Sequence, residues 1–210
     1  MNDCPIYVFA LEPDAAYRQW VGDCKRRVRQ LVGEQLYLDH PPHLTLYVAA
    51  FPAKAEVSRV VGELAGRLQS PQAVLNHWHV FQADQLTGNH TLVCDVPEES
   101  CQAFREVQSQ VVAALAPLCD VSACRCRYDG AWQRLSAVER ANVEQYGFPF
   151  VGQIWRAHVT IASIRTADWP ALEPVLRESP PSVPVCFDAL AVYRLQNDFP
   201  LRVEQHSLRA

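Results

Sequence analysis

Two short segments carry residues that can move protons beside residues that can hold charged oxygens. They are His43-Leu44-Thr45-Leu46 and His158-Val159-Thr160-Ile161, 158 − 43 = 115 residues apart. Each runs histidine, apolar residue, threonine, apolar residue. Side chains at i and i+2 of a β-strand share a face. His43 and Thr45 therefore project together while Leu44 and Leu46 point into a core, and His158 and Thr160 do the same against Val159 and Ile161. If the two strands meet, two imidazoles and two hydroxyls face one cavity. Such a set suits proton transfer at both ends of a phosphodiester, with the hydroxyls holding the phosphoryl oxygens between them.

The elements that must position these residues repeat. Displaced by 115, Thr45 meets Thr160, Val57 meets Leu172, Val60 meets Val175, Val61 meets Leu176 and Glu63 meets Glu178. The later matches fall at i, i+3, i+4, the spacing of an amphipathic helix. Phe81-Gln82-Ala83-Asp84 then resembles Leu195-Gln196-Asn197-Asp198. The chain reads as an internal two-fold repeat of strand, helix, strand.

Pattern and turn residues predict strands at 6–11, 43–51, 73–83, 90–96, 156–164, 185–195 and 200–207. Helices are predicted at 14–32, 53–69, 98–116 and 168–178. Residues 34–42 form a connector closed by Pro41-Pro42, which forces an extended approach to His43, and 180–184 form a Pro-rich link. Strands 73–83 and 90–96 read as a hairpin turning at Thr87-Gly88-Asn89. Lys25, Arg26, Arg27 and Arg29 are expected on a solvated helix face. His77 and His79 would share one exposed strand face. Between 118 and 156 a short strand near 119–128 and a short helix near 135–143 are expected. That stretch interleaves Arg125, Arg127, Arg134, Arg140 and Arg156 with Tyr128, Trp132, Tyr146, Phe148, Phe150 and Trp155. Arginine among aromatics either stacks a base and pairs a phosphate, or folds back with its rings buried. Tyr128, Trp132, Phe148 and Arg156 are the candidate substrate contacts.

Composition narrows the partners. The chain has 210 residues, 49% apolar and 20% charged, as expected of a soluble globular protein. A net charge of −4 lacks the basic footprint of a duplex-DNA binder, but a small phosphate ester or an RNA end fits if positive charge is local. The N-terminus shows no signal peptide and no apolar run is long enough for a membrane span, so a cytoplasmic protein is expected. Of eight cysteines only Cys119, Cys124 and Cys126 cluster, without paired Cys-x2-Cys spacing. Reduced thiols are expected rather than zinc ligands.

The sum is one α+β domain over 1–210, bilobal, with two pseudo-two-fold-related antiparallel sheets, helices outside and a central cleft. The doubled motif within this repeat resembles the two-histidine phosphoesterases, which include the RNA 2′,3′-cyclic phosphodiesterases or 2′-5′ RNA ligases. The resemblance covers most of the chain. It departs at Ala157, where the family often has proline. It implies His43 and His158 as acid and base, Thr45 and Thr160 as phosphate-holding hydroxyls, and no metal or cofactor. The implied activity is hydrolysis of a 2′,3′-cyclic phosphate on a nucleotide or an RNA 3′-end, reversible as ligation if a 5′-hydroxyl replaces water. The side chains leave open which imidazole is the base. A non-catalytic phosphate or RNA-end binding module, or action on another ribosyl cyclic phosphate, are the alternatives. A monomer is expected.

Overall fold

Alternating and continuous apolar runs build two sheets, and the computed structural model describes them over residues 4–178 and 181–209. The first half of the chain supplies β1 (Ile6–Pro13), α1 (Ala15–Val32), β2 (Leu44–Ala50), α2 (Lys54–Ala65), β3 (Gln72–Leu75) and β4 (His77–Phe81). The second supplies β5 (His90–Asp95), α3 (Glu98–Leu115), α4 (Val121–Arg127), α5 (Ala137–Tyr146), β6 (His158–Ile164), α6 (Trp169–Glu178), β7 (Val183–Gln196) and β8 (Phe199–Ser207). One sheet orders β2-β1-β7-β3 with β8 also on β7, and the other orders β4-β5-β6. All strand pairs are antiparallel. The fold is α+β, as expected.

The repeat is longer than strand, helix, strand. Each half runs β-α-β-α-β: β1-α1-β2-α2-β3/β4 and β5-α3-β6-α6-β7. The helices α1 and α3 are both 18 residues and start 98 − 15 = 83 residues apart. The motif strands are 115 apart because the second half inserts α4 and α5 before β6. The third strand of each half leaves its own sheet. β4 pairs with β5, and β7 pairs with β1. The two lobes are thus closed by exchange.

That exchange corrects the single strand expected at 73–83. The chain breaks at Asn76, so that β3 pairs with β7 and β4 with β5. The strand expected near 119–128 is instead a helix. Asp120 caps it, its carboxylate accepting from the Ala123 amide at 2.9 Å, and the cap overrides the β-prone composition. Among the described residues there are six α-helices, the four long ones expected, α5 where a short helix was expected near 135–143, and α4. α5 opens on a capping box, Ser136 with Glu139, and ends on Gly147 at φ 71°, a left-handed backbone that glycine adopts without strain. Lys25 corrects the solvated basic face: it is 5% exposed, and its ammonium donates to the Tyr37 and His40 carbonyls, both at 2.7 Å. Residue 180 of the Pro-rich link lies outside the described residues.

Leu44, Leu46, Val159 and Ile161 are fully enclosed. Burial of such side chains contributes about 1.5–3 kcal/mol each, which fixes the register and so the face that the intervening residues present.

Candidate active site

Both motifs show the same alternation. His43 and Thr45 are partly exposed between buried Leu44 and Leu46, and His158 and Thr160 are partly exposed between buried Val159 and Ile161. Each motif opens an edge strand of its sheet, β2 in one and β6 in the other. These two edges pack against each other. Three cross-links hold them. The Trp155 indole N–H, just before β6, donates to the Thr45 carbonyl at 3.1 Å. The buried Gln108 amide on α3 donates to the Leu46 carbonyl at 3.3 Å and the Phe150 carbonyl at 2.9 Å. The connector before β2 reaches the far end of β6, where the Ser163 amide donates to the Leu36 carbonyl at 2.8 Å.

The imidazoles are oriented alike. His43 Nδ1 lies 2.7 Å from the Pro41 carbonyl and His158 Nδ1 lies 2.8 Å from the Arg156 carbonyl. A carbonyl only accepts, so each Nδ1 carries the proton and donates. The Nε2 lone pair of each neutral ring is then left for chemistry. In both cases the carbonyl belongs to the residue two positions earlier. Each ring also has an aromatic neighbour from the exchanged third strand: Tyr193 of β7 lies 5.3 Å from His43, and Phe81 of β4 lies 5.3 Å from His158.

Burial lowers the pKa of both histidines. His43 is pushed down to about 4, first by burial and next by the Lys25 ammonium and by His40, against the Pro41 carbonyl and Glu12. His158 is lowered by burial, with the Arg156 carbonyl and the Asp95 carboxylate opposing. Both rings are therefore neutral at pH 7 in the free protein, and a phosphate monoanion placed between them would draw protons back onto them.

Two carboxylates missing from the sequence reading stand behind the motifs. Asp95 is the cross-strand partner of His158. Glu12 follows Leu11, which faces Leu44, and so takes the same place opposite His43. Asp95 and Glu12 are 95 − 12 = 83 residues apart, the displacement of α1 and α3. The available signal was an acid three residues before a long helix with a proline between, in Glu12-Pro13-Asp14 and Asp95-Val96-Pro97. Glu12 accepts from the Tyr193 hydroxyl, from Arg202 at 2.9 Å and from Gln205 at 3.0 Å. Arg156 donates to Asp95 through Nε at 2.8 Å.

Of the four candidate substrate contacts, Arg156 stands beside the second motif, tied to Asp95. Phe148 is in the main core against Tyr47 and Phe150. Tyr128 is 4% exposed in a small cluster with Leu135 and Val143. Trp132 packs on that cluster, and the Arg125 guanidinium lies 3.4 Å over its ring. Arg134 and Arg140 donate to the Gln85 and Leu135 carbonyls. Most of the arginines and rings of the insert are thus committed to contacts within the protein, Tyr128 and Trp132 in the insert's own cluster and Phe148, Phe150 and Trp155 in the main core. His77 and His79 share the sheet face of His158 and Thr160: His77 is exposed, His79 is partly buried 4.0 Å from Asp95, and His79 packs on Phe81.

A cavity of about 390 Å³ lies on the opposite face of the second sheet, lined by Trp20, Trp78, Leu92, Ile161 and Leu172. None of His43, Thr45, His158 and Thr160 lines it. Among the described residues no cluster of three His, Cys, Asp or Glu is arranged to hold a metal ion, and no single helix is long and apolar enough to cross a membrane.

Paired lobes with a His-x-Thr on each facing edge define a class, the two-histidine phosphoesterases. Residues 13–199 match the 2′-5′ RNA ligase superfamily, and the chain belongs to it. No curated protein matches. Among solved structures, TT0787 of Thermus thermophilus superposes with a TM-score of 0.59 at 17% identity, with 98% of each chain covered. Escherichia coli LigT complexed with phosphate gives 0.55 at 12% identity, over 98% of this chain and 99% of that one. LigT complexed with 3′-AMP gives 0.53 at 14% identity, over the same shares. At these identities the likeness is one of fold.

Proposed function

We propose that this protein hydrolyses 2′,3′-cyclic phosphodiesters of nucleotides or RNA ends, with His43 and His158 carrying the protons and Thr45 and Thr160 holding the phosphate. The observation that carries the proposal is the matched orientation of the two rings. Both Nδ1 atoms are engaged by a backbone carbonyl, and both Nε2 atoms are left to act from edge strands that pack together.

Water attacks phosphorus opposite the leaving ribose oxygen. One neutral imidazole takes the water proton at Nε2. The other, protonated, gives its Nε2 proton to the departing oxygen, and a phosphate monoester results. Charge grows on the non-bridging oxygens as the bond forms, where the threonine hydroxyls donate. The two rings exchange protonation states over one turnover, and a 5′-hydroxyl attacking in place of water would open the ring to a phosphodiester by the same route. A ligand of nucleotide class agrees with the LigT complex with 3′-AMP. Both proton transfers are supplied by side chains, so the reaction is proposed to proceed without a metal ion.

Phosphorus NMR of each nucleoside 2′,3′-cyclic phosphate, incubated with the protein and a chelator, is expected to show conversion to a monoester. No new monoester signal from any of the four, nor from an RNA oligomer ending in a cyclic phosphate, would refute the proposal. Binding without turnover in that experiment would favour a phosphate-binding module instead.

A further inference from the structure

The cavity behind the second sheet has no part in the proposed hydrolysis. It is bounded by the back face of β4, β5 and β6, by α1, by α6 and by the chain from Pro181 to Val183. Packed interiors leave few voids larger than a water molecule. A space of about 390 Å³ is instead of the size that takes a small ligand.

Its walls grade from apolar to charged. At the floor Leu92 and Ile161 are fully enclosed and Leu172 is nearly so. One side is aromatic: Trp20 of α1 and Trp78 of β4 stack with ring centroids 5.7 Å apart and planes within 15°. Arg27 and Ser182 line the cavity and are exposed, so they form its rim. The neighbouring cations of α1 are already paired, Arg26 with Asp23, and Arg29 with Glu34 and Asp39. Arg27 pairs with no carboxylate among the described residues. Cys24 stands between rim and floor. Burial pushes its thiol up to about 11, with Arg27 opposing, so it stays neutral and adds to the apolar wall.

We propose that this cavity binds a medium-chain aliphatic carboxylate, its chain lying along the two tryptophans down to Ile161 and Leu172 and its carboxylate held by Arg27 at the rim. A guanidinium matches the two oxygens of a planar carboxylate, and the Ser182 hydroxyl is a second donor beside it. A nucleotide does not fit these walls, because it would press base and phosphate polar atoms against leucine and isoleucine without partners. The chemistry of the walls carries the inference independently of the proposed hydrolysis. Ile161 faces this cavity, while Thr160, next to it in the chain, faces the other side of β6. Carboxylate and phosphodiester therefore bind on opposite faces of one strand and do not compete.

Tryptophan fluorescence of the full chain, titrated with decanoate below its micelle concentration, tests the proposal, since Trp20 and Trp78 wall the cavity. A saturable change is expected, and octanoate, shorter by two methylenes, is expected to bind about tenfold more weakly. Arg27→Gln is expected to weaken decanoate about three- to fivefold and to leave decan-1-ol unchanged. Val175→Phe places a larger side chain into the cavity from α6 and is expected to abolish saturable binding. Should V175F not fold, R27Q and the chain-length series decide. Inorganic phosphate in excess is expected to leave decanoate bound. No saturable change, equal affinities for octanoate and decanoate, or native decanoate affinity in R27Q would overturn the inference. Displacement of decanoate by phosphate would put the ligand on the motif face and overturn it as well.

Discussion

In the proposed function four side chains at the two strand edges carry the chemistry, and their types were readable because the pattern occurs twice. A single His-x-Thr on a strand has many structural explanations; two copies on matched strands leave few. Thr45→Val and Thr160→Val keep the shape of the side chain and remove the donor. Each is expected to lower kcat by about one to two powers of ten, with Thr→Ser restoring most of it, as steady-state kinetics on a cyclic nucleotide will check. Glu12, Asp95 and Lys25 were not legible. Their roles depend on which strand lies beside which, and Lys25 in particular sits in a run of cations whose neighbours do face solvent. The histidines also set a pH dependence of folding. His43 and His40 are both pushed down to about 4, chiefly by burial, whereas an unfolded histidine titrates near about 6.5. Between these values the unfolded chain binds protons that the folded chain refuses, so stability falls as pH drops from about 6.5 toward 4. His40→Gln is expected to flatten that slope in a thermal-melt series from pH 7 to 4, and an unchanged slope would count against the burial described for this ring.

At the scale of elements, the motif strands and their following helices were legible because hydrophobic periodicity reports which face is buried. The break at Asn76 was not, since β3 and β4 are each apolar enough to continue and only their partners differ. α4 was misread as a strand because its composition is β-prone and its cap is one residue, Asp120. The segment from α4 to α5 is locked by close packing at Gly147. A Cβ there would lie 2.7 Å from the Cys124 sulfur, on a backbone at φ 71°. Gly147→Ala is expected to destabilise the protein by about 2 kcal/mol or more in urea unfolding. Ser136→Ala removes one arm of the capping box and is expected to cost about 1 kcal/mol. A Gly147→Ala variant as stable as the native chain would mean the α4–α5 packing is looser than described.

For the whole molecule, the organising fact is the exchange of third strands between two β-α-β-α-β halves. Two displacements, 83 before the insert and 115 after it, hid the full repeat from a search at one fixed shift. The exchange brings an aromatic ring to each motif imidazole and sets the two motif edges together. Of the links between those edges Gln108 is the simplest to test, because its amide serves two carbonyls while itself 2% exposed. Gln108→Leu is expected to cost about 1–3 kcal/mol in chemical unfolding. The central claim is that one imidazole from each lobe acts with the other as a unit on a single phosphodiester. Its most direct test is kcat/KM on a nucleoside 2′,3′-cyclic phosphate, in chelator, for folded His43→Ala, His158→Ala and the double variant. Each single change is expected to cost about two to four powers of ten, and the double change little more than either alone. Native rates in either single variant, or losses that simply multiply in the double, would contradict it.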